Sequence, residues 1–328
     1  MSPSLIRVMS YNVRYFGHAL RGLASTLSSK RGIARGIASL WPLPEVICLQ
    51  EVETRSMRSR WGHRPGGRRD ETQLESFMVE LEAAFHQEGG HSPYEAFYFR
   101  AHAYKFRDFH VYTTGLAILV DTRRIRVEAH NVDSPEHITH HHVARVKDTK
   151  QTRICAHMRV GIGGAPFHIF NTHLSLPTPF AKNFWTQREK MGFGPNQLHE
   201  AKSLAQFIQK HAGADPFVVC GDFNSPPGSP VYRYLLEEAG FSCAQAELGA
   251  NTGLFPTAGF LNLRMHLDHL FGGAGISWID LRDTCCFGDP SSCFNGLSDH
   301  VPLIARLRLP SKRQRMAEPS GPLEKRNL

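Results

Sequence analysis

The sequence has no apolar run close to the roughly 20 residues that a membrane-spanning helix needs, and its N-terminus has no basic region followed by an apolar signal stretch. Charged residues make up only 21% of its 328 residues and apolar residues make up 41%, which is unlike a disordered chain. These absences argue against a membrane-spanning, secreted or disordered protein. The sequence therefore predicts a soluble, folded protein of the cytoplasm.

Cysteine is also used in a way that argues against disulfide bonds, because seven is an odd number in a chain without a secretion signal. Cys48 and Cys220 lie in apolar runs, where cysteine behaves as a small hydrophobe. Cys285, Cys286 and Cys293 are close in sequence but form no CxxC pair and have no histidines at zinc-site spacing. We expect most of the seven to be reduced and buried.

Positive charge exceeds negative charge, with 38 Lys and Arg against 30 Asp and Glu and a net charge of +8. Residues 55–69, which include Arg55 and Arg58, hold six arginines and no acid. Residues 311–328 are basic, contain proline and have few apolar groups, so we expect a disordered tail there. Because a basic surface attracts polyanions, the charge favours a nucleic-acid partner, with Arg55 and Arg58 as candidate substrate-binding residues.

Short apolar runs rich in β-forming residues recur along the chain and predict strands. They cover residues 5–12, 46–50, 96–99, 116–120, 154–160, 167–172, 217–220, 267–271 and 301–309. Helical signals fall between some of these runs: the repeat of Ile33, Ile37 and Leu40, the capping-box pattern of Thr72 and Glu75, and helix starts at Asn196 and Ser229.

The order of these elements predicts a mixed α/β fold. Helices fall between strands in the first third and again after Pro195, but the strands from about residue 94 to 172 follow one another without helices, which requires some antiparallel pairing. Two packed sheets with helices outside fit this pattern. We find no dividing linker, so we predict one domain over residues 1–310, followed by the tail 311–328.

Polar residues lie at the ends of several predicted strands, where side chains project into clefts. They are Asn12, Glu51, His173, Asp222, Asn224, Asp268, Asp299 and His300. Each alone has an ordinary explanation as a turn former or a helix cap. Together they supply the separated carboxylates, amides and histidines that metal-assisted hydrolysis of a phosphate ester needs. Such hard oxygen ligands suit Mg²⁺, with Mn²⁺ as the alternative.

The GDFN segment adds a geometric argument. In an extended chain residues i and i+2 point the same way, so Asp222 and Asn224 can address one reacting centre. His269 directly follows Asp268 and by the same alternation should face away from the site. We interpret the histidine-rich run that ends at His142 as a loop or a strand edge, since it has no carboxylate or cysteine partners at matching spacing.

Six motifs together resemble the endonuclease/exonuclease/phosphatase superfamily. They are SYN at residues 10–12, LQEVE at 49–53, NTHL at 171–174, GDFNS at 221–225, LDH at 267–269 and LSDH at 297–300. The resemblance runs from about residue 6 to residue 309. It implies a four-layer α/β/β/α sandwich of the DNase I type with two packed mixed sheets, in agreement with the pattern of elements.

The resemblance also implies a role for each residue. Glu51 would be the main Mg²⁺ ligand, with Asn12 and Asp299 close to the metal. Asp222 would orient and deprotonate the attacking water, and Asn224 would hold Asp222 or the phosphate. His300, oriented by Asp268, would contact the scissile phosphate. His173 would stabilise the phosphate or protonate the leaving group.

The substrate class stays open between two kinds of phosphodiester. The segments ICLQEVE and VVCGDFNS resemble the deadenylase branch, and together with the arginine cluster they favour a nuclease acting on DNA or RNA. The alternative is a sphingomyelinase-like lipid phosphodiesterase, because the aromatic residues around Trp185 could lie at a membrane interface. A catalytically silent binding module of the same fold is the third hypothesis. We infer no obligate protein partner.

Overall fold

The computed structural model describes residues 5–17, 26–53, 71–106, 109–139, 152–176, 191–250, 255–260, 263–282 and 284–310. Within the strand segments 102–106 and 109–114 only the backbone is described. The basic tail, the whole arginine cluster and residues 140–142 of the histidine-rich run lie outside these residues.

The first sheet is built from six strands. They are β1 (Leu5–Asn12), β2 (Val46–Val52), β3 (Tyr94–Phe106), β4 (Phe109–Asp121), β14 (Ser277–Asp280) and β15 (Leu303–Arg308). Their order across the sheet is β14, β15, β1, β2, β4, β3. Only the pair β1 and β2 is parallel, so the sheet is mixed as predicted.

The second sheet is mixed in the same way. Its strands are β5 (Arg126–His130), β6 (Glu136–His137), β7 (Ile154–Ile162), β8 (Ala165–His173), β9 (Phe217–Asp222), β10 (Ser242–Cys243) and β13 (Asp268–Gly273). The order is β10, β13, β9, β8, β7, β5, with β6 also paired to β7, and only β8 and β9 are parallel. A small separate hairpin joins β11 (Ala258–Phe260) and β12 (Leu263–Met265).

Helices cover the outer faces of the two sheets and complete the four layers. The helices are α1 (Leu27–Ala38), α2 (Gln73–Gln87), α3 (Pro195–Ala212), α4 (Pro230–Arg233) and α5 (Ala244–Glu247). Ile33 of α1 and Phe77 of α2 pack on the first sheet, whereas Leu204 of α3 packs on the second. The third apolar cluster lies between the sheets. The predicted sandwich is therefore confirmed, as is the capping box at the start of α2.

Two details differ from the sequence pattern. Helix α1 ends at Ala38, so Leu40 lies beyond it although it still packs against the same core. The short strands β5, β6, β10 to β12 and β14 were not predicted, because two to five residues are too few to show a period. All seven cysteines are free and four of them are buried, whereas Cys285, Cys286 and Cys293 are partly or fully exposed. Among the described helices, none combines the length and apolarity needed to cross a membrane.

The interface between the sheets changes from apolar to polar toward one end. Along β1 the inward side chains are Val8, Ser10 and Asn12, and along β9 Cys220 is followed by Asp222, all of them buried. Because both strands end at this edge, the last inward residue of each is a polar group enclosed between two sheets. Such groups must be hydrogen-bonded, since burying them without partners costs free energy.

A buried amide pair satisfies this requirement just behind the polar edge. Gln50 of β2 donates through Nε2 to Oδ1 of Asn171 in β8 at 2.8 Å. Asn171 in turn donates through Nδ2 to the carbonyl oxygens of Leu49 at 3.0 Å and Ala117 at 3.1 Å. These bonds join the second sheet to two strands of the first, so they favour a single alignment of the two sheets.

Candidate active site

All eight predicted polar residues meet at the polar end of the two sheets. Six of them line a cavity of about 440 Å³: Glu51, His173, Asp222, Asn224, Asp299 and His300. The other two, Asn12 and Asp268, lie directly behind the wall and are hydrogen-bonded to residues that line it. The strand ends named by the sequence therefore form one site rather than several isolated turns.

Asn12 links the two carboxylates that face the cavity. Its Nδ2 donates to Oδ2 of Asp222 at 3.0 Å and to Oε1 of Glu51 at 3.2 Å. Glu51 lies at a β-bulge in β2 and has a positive φ of 56°, which is unusual for a side chain other than glycine and asparagine. The bulge breaks the alternation of the strand, and Glu51 lines the cavity as a result.

A strained turn after β1 fixes the orientation of the Asn12 amide. Arg14, Tyr15 and Phe16 all have positive φ, at 43°, 56° and 53°, and such left-handed residues rarely follow one another. The backbone N–H of Arg14 donates to Asn12 Oδ1 at 3.0 Å, so the amide nitrogen of Asn12 points at the carboxylates. Gln73 donates to the carbonyl oxygen of Tyr15 at 2.8 Å and supports the turn from α2.

Asp268 and Asp222 are cross-strand partners in the register of β13 and β9. Nδ1 of His300 lies 2.8 Å from Oδ2 of Asp268, and its Nε2 lies 3.7 Å from Oδ2 of Asp222. Burial alone would lower the pKa of His300, but the charges of the two carboxylates and the bond to Asp268 outweigh it and raise this pKa to about 10. His300 is therefore a cation at neutral pH.

The pKa values of Asp222 and His173 are shifted in opposite directions. Burial raises the pKa of Asp222 to about 7, with a further increase from the charge of Asp268, although His300 opposes it. Burial also lowers the pKa of His173 well below its ordinary value, and the nearby cations Arg153 and His300 lower it further. Nε2 of His173 lies 3.5 Å from Oδ2 of Asp222. The cavity thus holds one charged histidine and one neutral histidine.

Asn224 lines the cavity because of a backbone conformation that differs from the extended one expected from the sequence. Its φ of 49° shows that the chain is not extended after Asp222, so the alternation argument for this pair is wrong. Instead, the backbone N–H of Asn224 donates to Oδ1 of Asp222 at 3.0 Å, and its side chain donates to the carbonyl oxygen of Leu174 at 2.9 Å. This turn is typical of asparagine and aspartate, and it brings both residues to the cavity.

Asp299 is paired with an arginine, and His269 lies outside the cavity. Oδ2 of Asp299 forms an ion pair with Nη1 of Arg14 at 2.8 Å, so this carboxylate is partly neutralised. His269 faces away from the cavity as expected. It is fully buried, and its Nε2 lies 2.7 Å from the carbonyl oxygen of Ser225, so it supports the turn that follows β9.

The donor atoms at this site are suited to a divalent cation. Carboxylate oxygens of Asp222 and Asp268 lie within 4.8 Å of one another, and the Glu51 carboxylate lines the same cavity. Burial, and after it the charge of the nearby Asp268 carboxylate, raises the pKa of Asp222, and a bound cation would offset both effects. The residues present therefore fit the metal that the sequence predicted.

The structure also reveals a residue that the sequence analysis missed. Arg153 lies directly before β7 and lines the cavity next to His173 and Glu51. It is only 8% exposed, and its Nε has no hydrogen-bond partner among the described residues. A cation immediately before the apolar run ICAHM could have been noticed, but nothing in the sequence placed this position at the end of the sheets.

Apolar side chains form the other part of the cavity wall, together with Tyr15. They are Leu176, Met191, Ala258, Met265 and Leu267. The predicted substrate-binding residues Arg55, Arg58 and Trp185 lie outside the described residues. The cavity thus presents charged groups beside an apolar surface, which fits a ligand with both a phosphate and a less polar part.

Comparison with known families agrees with this arrangement. The model of the endonuclease/exonuclease/phosphatase family matches residues 9–300. The chain belongs to this family. The members of the family are hydrolases, nucleases and phosphatases among them. All six motifs that suggested the resemblance lie within the matched residues.

Solved structures of the family share the fold. The human Nocturnin catalytic domain with a bound sulfate anion has a TM-score of 0.61 at 18% identity, covering 94% of this chain and 97% of that chain. ANGEL2, a 2′,3′-cyclic phosphatase, in complex with adenosine-2′,3′-vanadate gives 0.62 at 18% identity, covering 94% and 97%. Truncated Caenorhabditis elegans TDP2 gives 0.53 at 17% identity, covering 93% and 98%.

A curated relative matches over a shorter stretch. Nocturnin of Drosophila melanogaster is 27% identical over 88 residues, which are 27% of this chain and 12% of that protein. The match therefore spans only a small part of that protein's length. It supports the family membership of this chain and leaves the activity to be argued from the site.

Replacing Asp268 by Asn should lower the pKa of His300 by about 1–3 pH units. The substitution removes the negative charge that does most to raise this pKa against the effect of burial. The raised pKa of His300 stabilises the folded state fully below its ordinary value of 6.5, and this contribution is lost as the pH rises through about 10. An NMR titration of the His300 ring measures the change. In the control Asp280→Asn the titration of His300 should stay as in the wild type, because the Asp280 carboxylate of β14 is paired with Arg306 of β15 instead. An unchanged His300 titration in Asp268→Asn would contradict the conclusion that the Asp268 carboxylate raises the pKa of His300.

Proposed function

We propose that the protein is a divalent-metal-dependent phosphodiesterase and that it is a nuclease acting on DNA or RNA. The observation that carries the proposal is the position of Asp222. This carboxylate faces the cavity beside a charged histidine, a neutral histidine and the Glu51 carboxylate. Such a set can bind a phosphate, activate water and hold a cation at one place.

Asp222 is the proposed base for the attacking water. Its Oδ1 accepts a hydrogen bond from the Asn224 backbone, and its Oδ2 accepts one from Asn12, so the carboxylate is held in one orientation. A pKa near 7 is suited to accepting a proton at neutral pH. Asn12 and Asn224 are therefore proposed as positioning residues for Asp222.

Two cations are proposed to bind the phosphate. Protonated His300, held by Asp268, and the guanidinium of Arg153 both line the cavity. Charge-assisted hydrogen bonds from such groups to phosphate oxygens are stronger than neutral ones. Neutral His173 can donate a hydrogen bond to the phosphate, but its lowered pKa makes it a poor acid for the leaving group at neutral pH.

Glu51 is the proposed principal ligand for Mg²⁺, or alternatively Mn²⁺. Asn12 and Asp299 lie close to it, but Asn12 presents its amide nitrogen and Asp299 is paired with Arg14, so we assign them a supporting role. A bound divalent cation would neutralise negative charge that develops on the phosphate and leaving oxygens. Without it, that neutralisation would fall to His300 and Arg153 alone.

A nucleic-acid or nucleotide substrate is favoured over a lipid. The net charge of +8 suits a polyanion, and the similar fold of ANGEL2 has been captured with an adenosine-2′,3′-vanadate ligand. The apolar wall with Tyr15 offers a surface for a base or sugar. The lipid alternative rests on the NTHL motif at residues 171–174 and on the aromatic segment around Trp185, and Trp185 lies outside the described residues. We propose that residues 1–310 form the catalytic domain.

Replacing Asp222 by Asn should reduce phosphodiester hydrolysis by at least about 100-fold, because the proposed base is lost. The assay compares wild type and variant with Mg²⁺ and with EDTA on single-stranded RNA, duplex and nicked DNA, sphingomyelin vesicles and inositol phosphates. We expect Mg²⁺-dependent cleavage of a nucleic acid by the wild type and loss of this cleavage in Asp222→Asn. The control Asp280→Asn should keep full activity.

The outcomes of that panel separate the hypotheses. Cleavage of sphingomyelin alone would overturn the nuclease proposal and favour the lipid phosphodiesterase. Undiminished turnover by folded Asp222→Asn would overturn the role of this carboxylate. If the wild type hydrolyses no member of the panel, the catalytically silent module becomes the better account of the site.

Replacing Arg153 by Ala should raise the KM for the cleaved substrate by about 10-fold or more, because a charge-assisted contact to the phosphate is lost. Arg153→Lys should recover part of the loss, since the positive charge is kept. The matched control is Arg159→Ala, an exposed arginine on the same strand β7. Steady-state kinetics at constant salt make the comparison. An unchanged KM in Arg153→Ala would refute a phosphate-binding role.

A further inference from the structure

A second group of metal-ligating side chains lies on α2 and the turn that follows it. Nε2 of His86 lies 3.1 Å from Oε1 of Glu82, four residues earlier on the helix. Nδ1 of His91, beyond the end of α2, lies 2.8 Å from the same oxygen. The three donor atoms lie within 4.8 Å of one another, and all three side chains are accessible to solvent.

The group is held together before any ligand binds. The second oxygen of Glu82, Oε2, accepts a hydrogen bond from the backbone N–H of Ser92 at 3.0 Å. The rings of His86 and His91 are in edge contact, with centroids 4.4 Å apart. Bonds from His91 and Ser92 lower the pKa of Glu82, so this carboxylate is fully ionised at neutral pH. An outer hydrogen bond of this kind orients a metal-ligating carboxylate.

The arrangement suits a cation better than a simple ion pair. Two imidazole nitrogens approach the same carboxylate oxygen, whereas an ion pair needs only one. Exposed ion pairs contribute only about 0–1 kcal/mol to the stability of the fold. Ion pairing alone therefore explains poorly why both imidazole rings contact the same carboxylate oxygen. Two imidazoles and one carboxylate, with water completing the shell, are ligands that Zn²⁺ and similar transition metals accept.

The group is remote from the candidate active site. His91 precedes β3, whose first residue Tyr94 pairs with Asp121 at the end of β4. The cavity lies toward the other end of these strands, where Val52 pairs with Gly115. The two sites also differ in chemistry, because the cavity offers mainly carboxylate oxygens and this group offers two nitrogens. Occupation of one therefore need not depend on the other.

We propose that Glu82, His86 and His91 form a binding site for a transition-metal dication of the Zn²⁺ class. By joining the last turns of α2 to the segment before β3, the bound ion fixes a connection between the outer helix layer and the first sheet. The site does not depend on the proposed activity.

The test is a Zn²⁺ titration of the full chain by calorimetry in millimolar Mg²⁺, which occupies oxygen-rich sites and competes poorly for imidazole. The double variant His86→Ala/His91→Ala should lose one equivalent of bound Zn²⁺. The single variant Glu82→Gln should weaken the same equivalent at least about 10-fold. The matched control is His130→Ala, an exposed histidine on β5 that should retain the full stoichiometry.

The shift in Tm on addition of Zn²⁺ is a second measurement, which distinguishes this site from Zn²⁺ bound elsewhere on the chain. Zn²⁺ should raise the Tm of the wild type and of His130→Ala, and the rise should be reduced in the double variant. All substituted side chains are exposed or half-exposed, so the variants should fold as the wild type does. Equal Zn²⁺ stoichiometry in wild type and double variant would overturn the proposal, as would a wild type that binds no Zn²⁺ under these conditions. Neither result would bear on hydrolysis at Asp222.

Discussion

The hydrogen bond from Asn12 to Asp222, 3.0 Å long, joins the ends of β1 and β9 across the two sheets. Both residues are almost completely buried. A carboxylate in this position needs partners, since burial without them is costly, and Asn12, Asn224, Asp268 and His300 surround it. The sheets can pack face to face through apolar residues over most of their length, but at this end they meet through polar groups that must be matched.

The same burial gives the site its chemistry. It raises the pKa of Asp222 toward neutrality and lowers that of His173, while the Asp268 carboxylate keeps His300 charged despite burial. Stability alone would favour apolar residues at these strand ends. The presence of closely spaced carboxylates and of a strained turn at residues 14–16 indicates that the fold tolerates a cost here in order to hold reactive groups in place.

Much of this arrangement could be predicted from the sequence, and the rest depends on contacts that alternation does not encode. Strand patterning and motif order predicted the sandwich and identified the polar strand ends. The orientation of Glu51 depends on a β-bulge, and that of Asn224 on a left-handed turn, so neither follows from a period of two. Arg153 was missed because only the pairing of β7 with β8 brings it next to His173. The pairing of Gln50 with Asn171 likewise requires the packed sheets.

A double-mutant cycle on Asn12 and Asp222 tests most directly whether the site is built on this contact between the sheets. The free energy of unfolding is measured by chemical denaturation for the wild type, Asn12→Ala, Asp222→Ala and the double variant at one pH. The account predicts a coupling energy of about 1–3 kcal/mol, as expected for residues that share a buried hydrogen bond. Additivity of the two single effects to within about 0.5 kcal/mol would contradict it.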